Sequence, residues 1–197
     1  MQVIRHGAFK SLPWRNGGGV THEAIRVPER GEPFRWRLSV AHIEASGPFS
    51  DFTGYRRTMV LLRGGGVALR FADGSARELR AQGDLIEFDG ALAVECELLK
   101  GPCWDLNLIA AAGLGALRTR VQRMDGPLRL PSRPDSSGAG STLVFPVDAA
   151  LEVQAGADGA VLEPWDLAVL DGTCAAGGVH LESRGGAPGI VFLAALP

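Results

Sequence analysis

Glycine and proline interrupt the apolar segments of this chain at short intervals, and this punctuation limits the folds that it can adopt. The 197 residues include 27 glycines and 12 prolines, about a fifth of the chain, whereas an average globular protein has about an eighth. They show no collagen-like period and form no long low-complexity tract. Short apolar runs bounded by turn residues are typical of β-sandwiches and barrels, not of helix bundles. We therefore predict an all-β fold.

Alternation of apolar and polar residues places the strands. In residues 34–43, Trp36, Leu38 and Val40 share one face and Arg37 lies on the other, which is the period of a β-strand. Further strands are predicted at residues 57–62, 67–71, 75–79, 84–88, 92–98 and 103–109, and then at 142–146, 151–154, 160–162, 167–170, 179–182 and 189–196.

Two segments of the chain echo each other. Residues 82–90 and 163–172 both contain a turn, an Asp-Leu pair, an apolar strand and an Asp-Gly pair. Such similarity between the two halves suggests a duplicated β-barrel unit. Residues 126–140, with three prolines and several serines, are predicted to form an exposed loop or an inter-domain linker. Residues 113–120 are predicted to form a short helix or a connector.

The charge balance argues against a nucleic-acid or membrane partner. Twenty basic and 22 acidic residues give a formal net charge of −2, which supplies no broad basic field for nucleic acid or anionic lipid. The N-terminal residues lack the order of a signal peptide, and the longest apolar stretch, residues 108–117, is too short to span a bilayer. We expect a cytoplasmic protein with no nucleic-acid and no membrane partner, and leave a homodimer open.

The cysteines and histidines form no recognisable metal or disulfide pattern. Cys96, Cys103 and Cys174 are odd in number and include no Cys-x-x-Cys pair, so we predict buried thiols, with a reactive Cys103 as the alternative. The four histidines show neither His-x-His nor His-Glu-x-x-His spacing, so a metal site would need ligands distant in sequence. No cofactor and no metal are expected.

Polar residues on strands with an apolar opposite face are the remaining candidates for chemistry. Asp105 and Asn107 point to the same face of their strand because they are two residues apart. The lumen of a small β-barrel can hold one ligand, and arginine pairs bidentately with carboxylates. The candidates for such a lumen are Arg37, Ser39, Arg57, Asp105 and Asn107, with aromatic cover from Trp14, Trp36, Phe49 or Tyr55. The alternative is a solvent-exposed polar face with no ligand.

Five segments of the chain occur in the order and spacing that characterise a known protein family. They are residues 14–23 (WRNGGGVTHE), 36–41 (WRLSVA), 47–58 (GPFSDFTGYRRT), 96–102 (CELLKGP) and 105–108 (DLNL). Together they resemble the HutD/Ves family of bacterial proteins. The resemblance implies an all-β bicupin fold, with two cupin-like barrels or jelly rolls in one chain. We expect an N-terminal barrel with the ligand site in residues 1–118, followed by a linker and a C-terminal barrel in residues 119–197.

The resemblance also implies a function. Family members are linked to histidine utilisation and are thought to limit or tune that pathway, so the expected ligands are urocanate or formylated or formiminated glutamate. We expect a non-enzymatic bicupin that binds such a small carboxylate in the first barrel. Arg57 would clamp the carboxylate, Trp14 and Asn16 would close the mouth, Arg37 and Ser39 would line one wall and Asn107 the opposite wall, with Phe49 and Tyr55 as aromatic cover.

The sequence departs from the family's pattern at two positions. Thr53 stands where the family usually has proline, and Arg56 stands where it has aspartate. Arg56 therefore puts a second arginine beside Arg57, where it could compete for an anion or reinforce its binding.

Two other functions remain open at this point. The first is a cupin enzyme, an isomerase, hydrolase or metal-dependent oxygenase acting on a small organic acid, with Glu23, His22 or His42 as the proton carrier. Metal-dependent cupins use a His-x-His and a Glu on adjacent strands, and neither half of the chain supplies that set. The second is a structural or partner-binding module, which predicts no ligand pocket.

Overall fold

Strands make up 59% of the computed structural model and helices 5%, so the prediction of an all-β chain is confirmed. The structure describes residues 1–31, 33–131, 140–172 and 177–197. Short 3-10 helices occur at His6–Ala8, Ala112–Leu114 and Arg184–Gly186. In the described part of the chain, no helix has the length and apolar content that a bilayer crossing requires.

The strands are numbered in chain order. The first eleven are β1 (Gln2–Ile4), β2 (Lys10–Pro13), β3 (Gly19–Val27), β4 (Trp36–Ile43), β5 (Gly47–Pro48), β6 (Tyr55–Gly64), β7 (Val67–Phe71), β8 (Ala76–Leu79), β9 (Leu85–Asp89), β10 (Val94–Leu98) and β11 (Cys103–Ala111). The others described are β12 (Arg118–Met124), β13 (Leu128–Leu130), β14 (Ser141–Pro146), β15 (Leu151–Ala155), β16 (Asp158–Leu162), β17 (Leu167–Asp171), β18 (Val179–Ser183) and β19 (Gly189–Leu196).

The strands form two units that share most of their sheet topology. The first unit, residues 9–114, has sheets ordered β2-β3-β4-β11-β6-β9 and β5-β10-β7-β8. The second unit, residues 1–8 and 115–197, has sheets ordered β1-β17-β14-β19-β12 and β13-β18-β15-β16. The order β9-β6-β11-β4 matches β17-β14-β19-β12, and β5-β10-β7-β8 matches β13-β18-β15-β16. The described strand order therefore repeats.

The sequence echo falls on equivalent strands of this repeat, β9 and β17. In both units an aspartate closes the turn before the strand. Asp84 Oδ2 accepts hydrogen bonds from the backbone N–H groups of Arg80 and Ala81, at 2.7 and 2.8 Å. Asp166 Oδ2 accepts one from the backbone N–H of Glu163, at 3.0 Å. The shared Asp-Leu pair thus ends a turn whose backbone donors would otherwise lack a partner.

The first residues of the chain belong to a different unit from the one that their sequence position suggests. The expected first barrel covers residues 1–118, but β1 pairs antiparallel with β17, Gln2 lying opposite Val169. Part of the expected linker also forms structure, since β13 pairs with β18. Residues 132–139 of that linker lie outside the described residues. The segment 113–120 leads from a 3-10 helix into β12.

Side chains from both sheets form the core of the first unit. The buried cluster contains Ile43, Met59, Leu61, Val67, Leu69, Phe71, Leu79, Phe88, Val94, Cys96 and Cys103. The two cysteines are free and buried, as predicted, and burial is the main cause that raises the pKa of each thiol to about 12. Neither is therefore a reactive thiolate near neutral pH. Cys174 lies outside the described residues.

The inner face of the six-stranded sheet changes from apolar to polar along its strands. On β4 the sequence of inward positions runs from Ile43 and Ala41 to Ser39 and Arg37, and on β6 Met59 is followed by Arg57. The antiparallel register with β11 aligns these changes across the sheet. One end of the space between the sheets is therefore packed, and the other end carries charged and hydrogen-bonding groups.

Candidate functional site

A cavity of about 440 Å³ opens at the polar end of this face, within the first unit. Seven of the eight side chains that the sequence predicts for the site line it: Trp14, Asn16, Arg37, Ser39, Phe49, Arg57 and Asn107. The cavity is also lined by Asp105 of β11 and by Phe52, which precedes β6. Three neighbouring strands and two loops therefore bring together residues that lie almost a hundred positions apart.

Tyr55 and Trp36 do not line the cavity. The ring of Tyr55 stacks on Phe34, with 4.4 Å between ring centroids, and meets Phe52 edge-on at 6.4 Å. Trp36 is 5% exposed and lies on the face of β4 opposite to Arg37, because adjacent strand residues point to opposite faces. The aromatic cover facing the cavity comes instead from Trp14, Phe49 and Phe52.

The central feature of the cavity is a chain of three buried side chains. Arg57 donates hydrogen bonds from Nη2 and Nε to Oδ1 of Asn107, at 3.0 and 3.4 Å. The Nδ2 group of Asn107 in turn donates to Oδ2 of Asp105. The amide thus lies between a guanidinium and a carboxyl, and both of its ends are used.

Arg57 is surrounded by aromatic rings. Its guanidinium carbon lies 5.0 Å from the ring centroid of Phe49, 5.3 Å from that of Phe52 and 4.9 Å from that of Phe88. Burial is the main cause that lowers the pKa of Arg57 to about 10, so it is still a cation at neutral pH. The aromatic faces attract that charge without neutralising it.

Asp105 is fully buried, and its surroundings explain its acidity. In the sheet it lies opposite Ala41 of β4 and Leu61 of β6, which offer no polar side chain. Burial therefore raises its pKa to about 7, against the opposing effects of the Arg57 charge and the Asn107 hydrogen bond. Its Oδ1 atom has no hydrogen-bond partner among the described residues. One carboxyl oxygen is thus held by Asn107 and the other is unused.

A second arginine adds positive charge to the same cavity. The guanidinium carbon of Arg37 lies 5.3 Å from the ring centroid of Phe52 and 5.7 Å from that of Phe34. Its Nη1 atom lies 4.0 Å from Oε2 of Glu23, at the limit of an ion pair. Glu23 itself is not among the lining residues, so the cavity wall carries the guanidinium side of this pair.

The glycine-rich loop between β2 and β3 shapes the mouth. Trp14 donates from Nε1 to Oγ1 of Thr21, at 2.8 Å, and its ring meets Phe49 edge-on at 6.4 Å. Asn16 Oδ1 accepts a hydrogen bond from the backbone N–H of Gly18, at 3.0 Å. At Gly19 a Cβ would collide with the carbonyl oxygen of His42. Glycine is therefore required there for β3 to approach β4 and hold the Trp14 loop in place.

The side chains considered as proton carriers for an enzyme lie elsewhere. His22 bonds to Ser11, with 2.9 Å between Nδ1 and Oγ, and its ring stacks on Trp104 at 5.6 Å. The ring of His42 stacks on the same indole at 4.3 Å. Neither histidine is among the cavity-lining residues, because both occupy even positions on strands whose odd positions face inward.

Comparison with known proteins decides the family. The HutD family model matches residues 6–187, which is most of the chain. The chain belongs to the HutD family. The resemblance found in the sequence is thereby confirmed, and it extends through both units.

Three relatives are similar to this HutD-family chain over nearly its whole length. An uncharacterized 21.2 kDa protein in the hutC 3′ region of Pseudomonas putida is 37% identical over 186 residues, 93% of this chain and 94% of that protein. A conserved protein of unknown function from Pseudomonas aeruginosa PAO1 is 30% identical, with a TM-score of 0.87 and coverage of 99% and 97%. HutD from Pseudomonas fluorescens SBW25 is 32% identical, with a TM-score of 0.79 and coverage of 100% and 98%.

A more distant likeness identifies the fold. A mutant of the bicupin oxalate decarboxylase from Bacillus subtilis is 9% identical, with a TM-score of 0.66 and coverage of 100% of this chain and 77% of that one. The predicted bicupin fold is confirmed. The chain therefore has a cupin fold and belongs to a family associated with histidine utilisation.

The HutD-family cavity does not fit the ligand set of metal-dependent cupins. Its charged lining includes the guanidinium groups of Arg37 and Arg57 against the carboxyl group of Asp105, and two arginines repel a divalent cation. Across the described ranges, no group of three or more His, Cys, Asp or Glu side chains is placed to hold a metal ion. The guanidinium, hydroxyl and amide groups that line the cavity suit an anion that also carries hydrogen-bonding groups.

Proposed function

We propose that this HutD-family chain binds a small carboxylate in the cavity of its first unit and regulates histidine catabolism without catalysing a reaction. The observation that supports this most directly is the buried positive charge of Arg57. This side chain is 5% exposed, lines the cavity and bonds to the neutral amide of Asn107. A buried cation without a directly bonded anion is costly, and a carboxylate in the cavity would remove that cost.

The rest of the cavity supports the same ligand. Arg37 supplies a second positive charge, while Ser39 and Asn107 supply hydrogen-bonding groups and Phe49 and Phe52 supply apolar walls. A pocket of this composition orients a small ligand through a few polar contacts and buries its apolar part. The regulatory part of the proposal rests on the association of the family with histidine utilisation.

Calorimetric titration with urocanate and N-formylglutamate tests this proposal. A hydrogen bond to a charged group contributes about 1.5–3 kcal/mol, so Arg57→Ala is expected to weaken binding by about 10- to 150-fold. Arg56→Ala is the matched control, because Arg56 is the exposed neighbour on the same strand and does not line the cavity. Equal affinities of wild type and Arg57→Ala would reject the role of Arg57, and no binding of either acid to wild type would reject both as ligands.

One observation favours a second candidate function, acid–base catalysis on a small organic acid. Asp105 lines the cavity, and a buried carboxyl whose pKa is raised to about 7 is suited to proton transfer near neutral pH. Prolonged incubation of the protein with the two acids, followed by mass analysis, separates the functions. Unchanged acids support the binding protein, whereas a conversion that Asp105→Asn abolishes supports the enzyme.

A further inference from the structure

The unused oxygen of Asp105 is a hydrogen-bonding group that the protein itself does not satisfy. Asp105 is fully buried and lines the cavity. Its Oδ2 atom accepts from Asn107, but Oδ1 has no partner among the described residues. A buried carboxyl oxygen left without a donor is energetically unfavourable. Such a group inside a cavity points to a ligand that supplies the donor.

The direct cross-strand neighbours of Asp105 do not provide that donor. The residues directly opposite Asp105 are Ala41 and Leu61, whose side chains have no polar atoms. The guanidinium of Arg57 is held on Asn107. The amide of Asn107 therefore keeps a cationic group and an acidic group apart, and the two form the ends of one polar row in the cavity.

We propose that Asp105 is a second anchor of the ligand, and that Oδ1 accepts an N–H group of an acid whose carboxylate pairs with Arg57. The inference rests on the proposed carboxylate-binding function and narrows its ligand class. The ligands are small acids that also carry an N–H donor, such as an imidazole, amide or formimino group. A plain carboxylate of the same shape leaves Asp105 without its donor and binds more weakly.

A pair of acids that differ in the N–H donor tests this anchor. Urocanate carries an imidazole ring, and 3-(3-furyl)acrylate is an acid of similar shape whose furan ring has no N–H. Calorimetry at pH 8 is suitable, because Asp105 has a pKa of about 7 and is then mostly an ionised acceptor. Wild type is expected to bind urocanate at least about tenfold more tightly, as a hydrogen bond to a charged group implies.

The variant Asp105→Asn provides the second measurement. Asn107 donates toward position 105, so the new amide would turn its oxygen to Asn107 and leave its NH₂ group at the site of Oδ1. A donor would then face the donor of the ligand, and the preference for urocanate is expected to disappear. Glu95→Gln is the matched control, because Glu95 is exposed on β10 and does not line the cavity, and it should keep the preference.

The outcomes separate this inference from the proposed function. A preference for urocanate that Asp105→Asn removes and Glu95→Gln retains supports the anchor. Equal wild-type affinities for the two acids, both lowered by Arg57→Ala, would overturn the anchor and leave carboxylate binding in place. A preference that Asp105→Asn keeps would also overturn it. Failure of wild type to bind urocanate, 3-(3-furyl)acrylate and N-formylglutamate would overturn both proposals, and if Asp105→Asn does not fold, the wild-type preference alone decides.

Discussion

Oδ1 of Asn107 accepts a hydrogen bond from Nη2 of Arg57 across the β6–β11 pair, at 3.0 Å. The register sets Arg57 opposite Ile109 and Asn107 opposite Met59, so the two polar side chains are diagonal neighbours. A long side chain can span such a diagonal. Because the amide is neutral, it orients the cation without cancelling its charge, which leaves Arg57 available to an anion in the cavity.

Asn107→Ala is expected to destabilise the protein by about 2–4 kcal/mol. The change removes the acceptor of Arg57 and the donor to Asp105 together, and each buried polar group left without a partner costs about 1–3 kcal/mol. Urea denaturation measures the free energy of unfolding. Gln122→Ala is the control, because that amide makes an exposed hydrogen bond to the carbonyl oxygen of Arg123, and a change within about 0.5 kcal/mol is expected. Equal losses in the two variants would contradict the bridging role of Asn107.

The strands of this fold and part of its site could be predicted because strand alternation is local. Two residues of spacing are enough to put Asp105 and Asn107 on one face, and the irregularity in the β6–β11 register lies just before Asp105, so it does not separate them. The same alternation places Tyr55 on the face of Arg57. In the structure Tyr55, the first residue of β6, stacks on Phe34 instead.

Other features depend on contacts that no local pattern encodes. Phe52 lies in a loop without periodicity, yet it faces Arg37 and Arg57, two of the three arginines that line the cavity. The pairing of β1 with β17 joins segments more than 160 residues apart, so the sequence position of β1 suggested the wrong unit. The unpaired oxygen of Asp105 also follows only from the cross-strand register with Ala41 and Leu61, which is a tertiary property.

The pKa of Asp105 predicts a pH-dependent stability. The ordinary value of 3.8 rises to about 7 in the folded chain, so between these values the folded state keeps a proton that the unfolded state has released. The contribution of this protonated carboxyl to the free energy of unfolding is fully present below pH 3.8 and is lost as the pH rises to about 7. It amounts to at most about 4 kcal/mol. The charged and titratable groups that influence it, Arg57, Cys96 and Cys103, have pKa values of about 10 to 12 and do not titrate in this range.

Asp105→Asn removes this titration. The difference in unfolding free energy between pH 5 and pH 8, measured by urea denaturation, should therefore be smaller in the variant than in wild type. The same pH dependence in both proteins would show that Asp105 is not protonated in the folded state.

Phe52→Leu is expected to weaken urocanate binding by roughly 5- to 30-fold. The ring centroid lies 5.3 Å from the guanidinium carbons of both Arg37 and Arg57. Leucine keeps the apolar wall but loses the aromatic face that holds both guanidinium groups in position for the carboxylate, and such a contact with a desolvated cation is worth about 1–2 kcal/mol. Tyr55→Phe is the control, since it keeps the ring on Phe34 and lies off the cavity. The affinity of Tyr55→Phe for urocanate should stay within about twofold of wild type. A larger loss of affinity in Tyr55→Phe than in Phe52→Leu would show that Tyr55, and not Phe52, is the ring that supports binding.

Asp166→Ala is expected to destabilise the second unit by about 2–4 kcal/mol and to loosen β1. The side chain is 6% exposed and joins the N-terminal segment to the turn before β17. Oδ2 accepts from Nη1 of Arg5 at 2.7 Å and Oδ1 accepts from the backbone N–H of His6 at 2.9 Å. In Asp166→Ala these two donors lose their acceptor, and the loss of a partner by a buried polar group is a common cause of a large decrease in stability.

Hydrogen exchange and denaturation together check this last expectation. The amides of Gln2–Ile4 should exchange faster in Asp166→Ala, because β1 pairs only with β17 among the described strands and an edge strand held by few contacts opens readily. Asp125→Ala, at an exposed position of the same unit, should leave both measurements nearly unchanged. If Asp166→Ala lost no more stability than Asp125→Ala and β1 exchanged at the wild-type rate, backbone pairing alone would hold the N-terminal strand, and the carboxylate would have no part in joining it to the second unit.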